Sequence, residues 1–433
     1  MQFVSTRGVE PVALSVAITQ GLAADGGLFV PTAWPLATAL SLRGDEPLAS
    51  VALQFLAPFA AGDALAAPLP AICAEAFNFP APLLPLRDAA QLSVLELFHG
   101  PTAAFKDFGA RFLAAALTRL RAGAARPLRI LVATSGDTGG AVAAAFYRRK
   151  GVQVTVLFPK GLVSPTQQQQ LTCWGDNVQS LAVRGSFDDC QALVKQAFLD
   201  RPLRSEFDLS SANSINLGRL LPQAVYYLAT SLAVQRQSGE LASFVIPSGN
   251  LGNATACVWA RRLGAPINEI VLAHNANRTV PDYIDEGVLR LRASVPTLAS
   301  AMDVGSPSNL ERLTALYPDA AALGAALSAV SVDDNAIRAR IRADHERYGA
   351  IWCPHTAAAA EAWARLPAAR RTRGPWVLVA TAHPAKFREI VEPLIGRPVP
   401  VPQNLARLFE RPAHYTEIDP TLDALRGRLT EAA

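Results

Sequence analysis

The chain has 433 residues, of which half are hydrophobic and 18% charged, enough apolar material for a large core and too little charge for a disordered chain. Its 40 basic and 36 acidic residues leave a net charge of +4, and no basic stripe interleaved with aromatics points to nucleic acid as a partner. Five widely spaced cysteines form no CxxC pair or disulfide framework. With no signal-peptide pattern and no membrane-length apolar run, the expectation is a soluble cytoplasmic protein without a membrane partner. Cys353 and His355 are close in sequence but lack further ligands, so packing and local hydrogen bonds are expected there and no metal.

In chain order, residues 1–90 are rich in alanine and proline and read as mostly helical. The turn Ala24-Asp25-Gly26-Gly27 leads into a short extended piece at 28–31. From Leu92 onward, strand-like runs at 92–98, 128–133, 152–158, 178–183, 244–247, 269–273 and 376–380 alternate with helical stretches. That rhythm predicts an α/β protein with open, twisted, mostly parallel sheets and flanking helices. Such sheets bind ligands beyond the carboxyl ends of their strands. The glutamines at 167–170 fall in a helix opened by Ser164-Pro165, and 396–402 reads as an extended linker before a short helical tail.

The segment His99-Gly100-Pro101-Thr102-Ala103-Ala104-Phe105-Lys106-Asp107-Phe108-Gly109 sets one lysine between a Gly-Pro turn and an apolar helix predicted to begin near Phe108. Apolar surroundings lower an amine's pKa, and a neutral amine attacks carbonyls. A solvated lysine at a helix start has the same local pattern. Downstream, Pro247-Ser248-Gly249-Asn250-Leu251-Gly252-Asn253 joins a buried strand to a helix predicted over 254–263. Its glycines and the helix N-terminus form a cradle suited to a phosphate monoester, although glycine-rich βα turns also occur without ligands. The loop is neither a Walker loop nor a dinucleotide GxGxxG.

Thr134-Ser135-Gly136-Asp137-Thr138-Gly139-Gly140 repeats this architecture with hydroxyls that suit a carboxylate; Asp137 could equally be an N-cap. A third turn, 210–219, sets Arg219 five residues after Ser214, a combination suited to a second phosphate or to capping and a surface ion pair. Thr381-Ala382-His383-Pro384 closes the last buried strand with a neutral hydroxyl.

These loops, in this order, resemble those of the threonine synthases, bacterial and fungal branch, among the fold-type II (tryptophan synthase β-like) pyridoxal-phosphate enzymes. The resemblance spans almost the whole chain. Ser5-Thr6-Arg7-Gly8 and the stretch 21–31 resemble the family's N-terminal domain, and Ala301-Met302-Asp303-Val304-Gly305 and Thr381-Ala382-His383-Pro384-Ala385-Lys386-Phe387 are further matches. The resemblance implies an N-terminal domain at 1–90, a large cofactor-binding domain at 91–115 and 220–395, an inserted small domain at 116–219, and a linker with helical tail at 396–433.

It also implies a role for each matched residue. Lys106 would hold pyridoxal 5'-phosphate as a Schiff base and then shuttle protons, with Phe105 beside it. Ser248, Gly249, Asn250, Leu251, Gly252 and Asn253 would cradle the cofactor phosphate, Thr381 would meet the pyridine nitrogen, and Asp137 would face the cofactor. Thr134, Ser135 and Thr138 would take the substrate carboxylate, and Ser214, Arg219 and Asn253 its phosphate.

The implied reaction converts O-phospho-L-homoserine and water to L-threonine and phosphate, by γ-elimination followed by β-addition of water, in a monomer or homodimer. Two departures from the family pattern stand out. Leu251 and Asn253 occupy positions that often hold a phenylalanine and an acid, and Cys353 stands where an acid is common. A related phospholyase or dehydratase, or a catalytically silent cofactor binder, would share some of these features. The pair Ser214 and Arg219 disfavours a dehydratase, and an intact Lys106 disfavours a silent binder.

Overall fold

The computed structural model describes residues 1–8, 10–35, 40–89 and 91–431. Three sheets organise them. A small antiparallel sheet of order β2-β1-β3 is built from β1 (Gln2–Ser5), β2 (Val12–Ala13) and β3 (Phe29–Pro31). It corrects the mostly helical reading of the first 90 residues: helices Leu14–Gln20, Leu48–Ala60 and Leu69–Ala76 are present, but they follow or flank this sheet. Its strands are two to four residues long, too short to show a clear alternating pattern.

The second sheet contains β4 (Leu83–Pro85), β5 (Leu92–Glu96), β10 (Ala242–Pro247), β11 (Ile267–His274), β12 (Ser328–Ser331) and β13 (Trp376–Ala380). Its order is β12-β11-β10-β13-β5-β4, parallel except for the antiparallel edge pairing of β4 with β5. The third comprises β6 (Leu128–Ala133), β7 (Val152–Pro159), β8 (Val178–Val183), β9 (Asp208–Ser211) and β14 (Thr416–Ile418). It is parallel throughout, in the order β14-β8-β7-β6-β9. Every residue of β6, β10 and β13 is buried, as expected of parallel strands covered on both faces.

The C-terminal segment contains the expected extended stretch and helices, Gln403–Phe409 and Leu422–Glu431, and adds a strand between them. β14 pairs with β8 in register Thr416↔Leu181, and Leu425 and Leu429 of the last helix are fully buried. Arg129, on β6, donates from Nη1 to the Leu429 carbonyl at 2.5 Å. The tail therefore completes the smaller lobe, contributing its edge strand and a covering helix.

Helix Lys106–Leu120 lies where the lobes meet, its residues Phe108 to Leu117 almost all buried. Gly109 makes that packing possible: a Cβ there would stand 2.4 Å from the Arg219 carbonyl oxygen. Among the described residues, no helix is long and apolar enough to cross a membrane.

Candidate active site

Lys106 opens its helix two residues earlier than the sequence pattern indicated. The preceding loop is tied down on two sides. Asp107 accepts the Thr102 backbone N–H at 2.9 Å and its hydroxyl at 2.7 Å. On the other side the Phe105 N–H donates to the Thr381 carbonyl at 2.8 Å, and the His383 N–H to the Ala103 carbonyl at 3.0 Å. A bridge between Ala104 and Ala382 completes this short ladder. Ala103 adopts φ 54°, a left-handed conformation that costs an alanine about 1–2 kcal/mol and turns the chain into the helix. Thr381 is thus fixed beside Lys106 through its backbone, with its side chain buried.

The half-buried Lys106 amine lies 5.8 Å from the centre of the Phe105 ring. Burial pushes its pKa down to about 8; Asp137 opposes that shift, and the cations of Arg219 and Lys386 add to it. Burial in apolar surroundings thus makes this amine more acidic than an ordinary lysine.

The glycine turn follows β10. Leu251, buried and at φ 62°, leads into helix Gly252–Arg262, whose first-turn N–H groups have no carbonyl within the helix to meet. Gly249 lets the Ala301–Met302 segment approach, since a Cβ would stand 2.7 Å from the Met302 Cα. Asn253 is buried, with its Oδ1 accepting from the Tyr226 hydroxyl at 2.5 Å and the Tyr227 hydroxyl at 2.9 Å. Its Nδ2 is left as a buried donor with no partner, a costly arrangement unless an acceptor enters the site. The Ser248 hydroxyl turns back onto the Ile246 carbonyl at 3.0 Å, bracing the strand end.

Ser214 joins this turn, accepting from Asn250 Nδ2 at 2.6 Å. Asn309 and Arg312, which carried no recognisable motif, hold the two turns together. Asn309 Nδ2 donates to the Asn250 carbonyl at 3.0 Å, and Arg312 to the Ile215 carbonyl at 2.7 Å and to Asn309 Oδ1 at 2.6 Å. Arg219 is separated from Ser214 in the described bonding. It is buried, donates to the Ala212 carbonyl at 2.5 Å and has its pKa lowered by burial to about 10. It is not the surface ion pair that its sequence position allowed.

In the turn after β6, Ser135 and Thr138 are half-buried. Thr134 is nearly inaccessible, and its hydroxyl accepts the Gly136 and Gly139 N–H groups, both at 2.9 Å. It shapes the loop from within. Gly136, at φ 139°, admits the Gln167 side chain, which a Cβ would meet at 2.5 Å.

Asp137 is buried and accepts from Gln167 Nε2 at 3.1 Å and from Lys386 Nζ at 2.9 Å. Burial opposes its ionisation, yet Lys386, Lys106 and His355 together hold it well below the usual carboxylate range. Lys386 enters the sequence argument only within the matched segment 381–387, without a role of its own. His355 accepts the Ala301 N–H at 3.1 Å, and burial lowers its pKa to about 4. This fits the local hydrogen bonding expected of it, although it stands near Asp137.

An amine at a loop-to-helix junction, an anion cradle and a carboxylate-compatible turn at the strand ends of two open sheets define a fold-type II pyridoxal-phosphate enzyme. In agreement, residues 75–382 match the family described as pyridoxal-phosphate dependent enzyme. Residues 2–77 match the threonine synthase N terminus and 356–427 the threonine synthase C-terminal family. Threonine synthase of Haemophilus influenzae is 39% identical over 427 residues, covering 98% of each chain. The crystal structure of Escherichia coli threonine synthase superposes with a TM-score of 0.90 at 36% identity, covering all of both chains. The pyridoxal-phosphate-bound threonine synthase of Brucella melitensis gives 0.91 at 34%, covering 100% of this chain and 99% of that one. The chain belongs to the threonine synthase family.

Proposed function

We propose that this chain converts O-phospho-L-homoserine and water to L-threonine and phosphate, acting as a carbon–oxygen lyase on a phosphate substrate. The observation that carries this reading is the seating of Ser214 on Asn250, which sets a second polar turn directly against the anion cradle. The full-length likeness to threonine synthases supports it. The residues present suit pyridoxal phosphate: a lysine with a depressed pKa, a cradle that a Cβ at Gly249 would disrupt, and the unpartnered Asn253 amide. Lys106 would hold the cofactor, Gly249, Asn250, Leu251, Gly252 and Asn253 its phosphate, and Thr381 its ring nitrogen.

When bound, the cofactor supplies an electron sink for carbanion chemistry. The protein's part is positioning and proton traffic. Ser135 and Thr138 orient the substrate carboxylate, while Ser214 and Arg219 hold its phosphate. With both ends fixed, the Lys106 amine reaches Cα and Cβ in turn and removes a proton from each. Phosphate leaves Cγ with the electrons of its C–O bond. A proton then returns to Cγ, water adds its hydroxyl to Cβ while its remaining proton passes to the released phosphate, and a proton returns to Cα. Thr381 would offer the ring nitrogen a neutral hydroxyl, a partner without the negative charge that favours a proton there, and this would put more demand on the lysine.

The reading extends to a monomer or homodimer in the cytoplasm, a reducing compartment that suits five buried cysteines without disulfides. An assay of O-phospho-L-homoserine turnover tests it. Phosphate and threonine in equal amounts are expected; keto acid with ammonia would instead indicate a phospholyase, and no product would indicate a cofactor binder.

A further inference from the structure

The turn proposed to receive the substrate carboxylate contains a carboxylate of its own. Asp137 is 5% exposed, so its charge is not screened by solvent, and a second anion arriving at Ser135 and Thr138 would be repelled. The structure answers this charge from the opposite lobe. Lys386, completely buried, reaches Asp137 Oδ1 at 2.9 Å and donates also to the Thr102 carbonyl at 2.9 Å. Thr102 is the residue that Asp107 clamps at the head of the Lys106 loop. Two glutamines of helix Pro165–Thr172 complete the junction: Gln167 on Asp137 at 3.1 Å and Gln170 on the Thr102 carbonyl at 2.9 Å.

We propose that Lys386 is a positioning residue for the reaction: it neutralises Asp137 so that the 134–140 turn accepts an anionic group, and it ties that turn to the loop carrying Lys106. The inference rests on the proposed function and deepens it by assigning the charge balance of the carboxylate subsite. A buried ion pair is weak evidence for stability, because desolvation offsets most of its attraction. A role in charge balance explains why two ionised groups occupy a position that apolar side chains could fill. The cation also stands near Lys106 and helps keep its amine acidic.

Lys386→Gln keeps a hydrogen-bond donor to Thr102 and Asp137 while removing the charge. In the holoenzyme we expect KM for O-phospho-L-homoserine to rise about tenfold or more with a smaller change in kcat. Adding Asp137→Asn should bring KM back to within about threefold of wild type, because the repelling carboxylate is gone. A second readout needs no turnover. The pH midpoint of the bound cofactor's visible absorbance should move up in Lys386→Gln and return in the double variant. Unchanged KM and midpoint in Lys386→Gln, or a double variant as impaired as the single one, would overturn the proposal. Thermal unfolding of all three proteins identifies a folding defect; a lowered Tm with KM and midpoint unmoved also overturns it, since only a structural role would remain. Wild-type failure to make threonine would instead count against the proposed function.

Discussion

Thr102 and Asp107 close the loop ahead of the reactive lysine, with one carboxylate taking both the backbone N–H and the hydroxyl of the same residue. Gly100 lies against this clamp so closely that a Cβ would stand 2.5 Å from Asp107 Oδ2. Hydrogen bonds to a charged group contribute about 1.5–3 kcal/mol each, while desolvating the carboxylate takes part of that back. Asp107→Ala should therefore lose about 2 kcal/mol of stability, read from the urea midpoint, together with most of kcat. Gly100→Ala should do the same by pushing the carboxylate off Thr102; wild-type behaviour of both variants would show that the clamp does not position Lys106.

Lys106→Ala removes the group proposed to bond the cofactor covalently and to move the protons. The absorbance of the lysine–cofactor imine should disappear and turnover should fall by roughly a thousandfold or more. Retained yellow colour with normal threonine formation would exclude the assignment.

The pKa of Lys106 falls from an ordinary 10.5 to about 8 on folding. Below pH 8 the lysine is protonated in both the folded and unfolded chains, and burial of its charge is a cost to the fold. Between pH 8 and 10.5 the unfolded chain binds the extra proton, so this residue's contribution to stability rises with pH. In cofactor-free protein, the unfolding free energy of wild type minus that of Lys106→Met should become more favourable to wild type across that window. A difference independent of pH would mean that the amine is not perturbed.

Arg219 is buried beside Lys106 and bonded to a backbone carbonyl. If it also meets the substrate phosphate, Arg219→Ala should raise KM for O-phospho-L-homoserine by roughly 10- to 100-fold, the worth of one hydrogen bond to a charged group. Cofactor affinity, measured by equilibrium dialysis, should change far less. Equal losses would place Arg219 in the scaffold of the Lys106 helix, where its carbonyl already packs on Gly109.

Each turn of the site was legible in the sequence because each is local: a buried strand, a few glycines and hydroxyls, then a helix. Lys106, Ser135, Ser214 and the 249–253 turn stand out as candidates through their neighbours in the chain, and the order of all the turns together selects one reading of them. The helix expected after Ser164-Pro165 is present and opens on a capping box with Gln167. Side-chain direction was not legible. Thr134 and Ser248 look like ligand contacts in sequence, yet their hydroxyls turn onto nearby backbone groups. Nor was the small lobe's last strand: three residues at Thr416–Ile418 show no strand pattern until β8 offers them a partner.

The sequence by itself determined the parallel α/β architecture, the order of the turns and the lysine at the start of the helix Lys106–Leu120. These follow from hydrophobic runs and backbone freedom, which act over short stretches of chain. Only the tertiary structure decided how the turns meet, with Lys386 against Asp137, Ser214 on Asn250, and Tyr226 and Tyr227 holding Asn253. A buried charge or amide is tolerated when a partner arrives from elsewhere in the fold, and that partner can lie hundreds of residues away, where no local pattern records it.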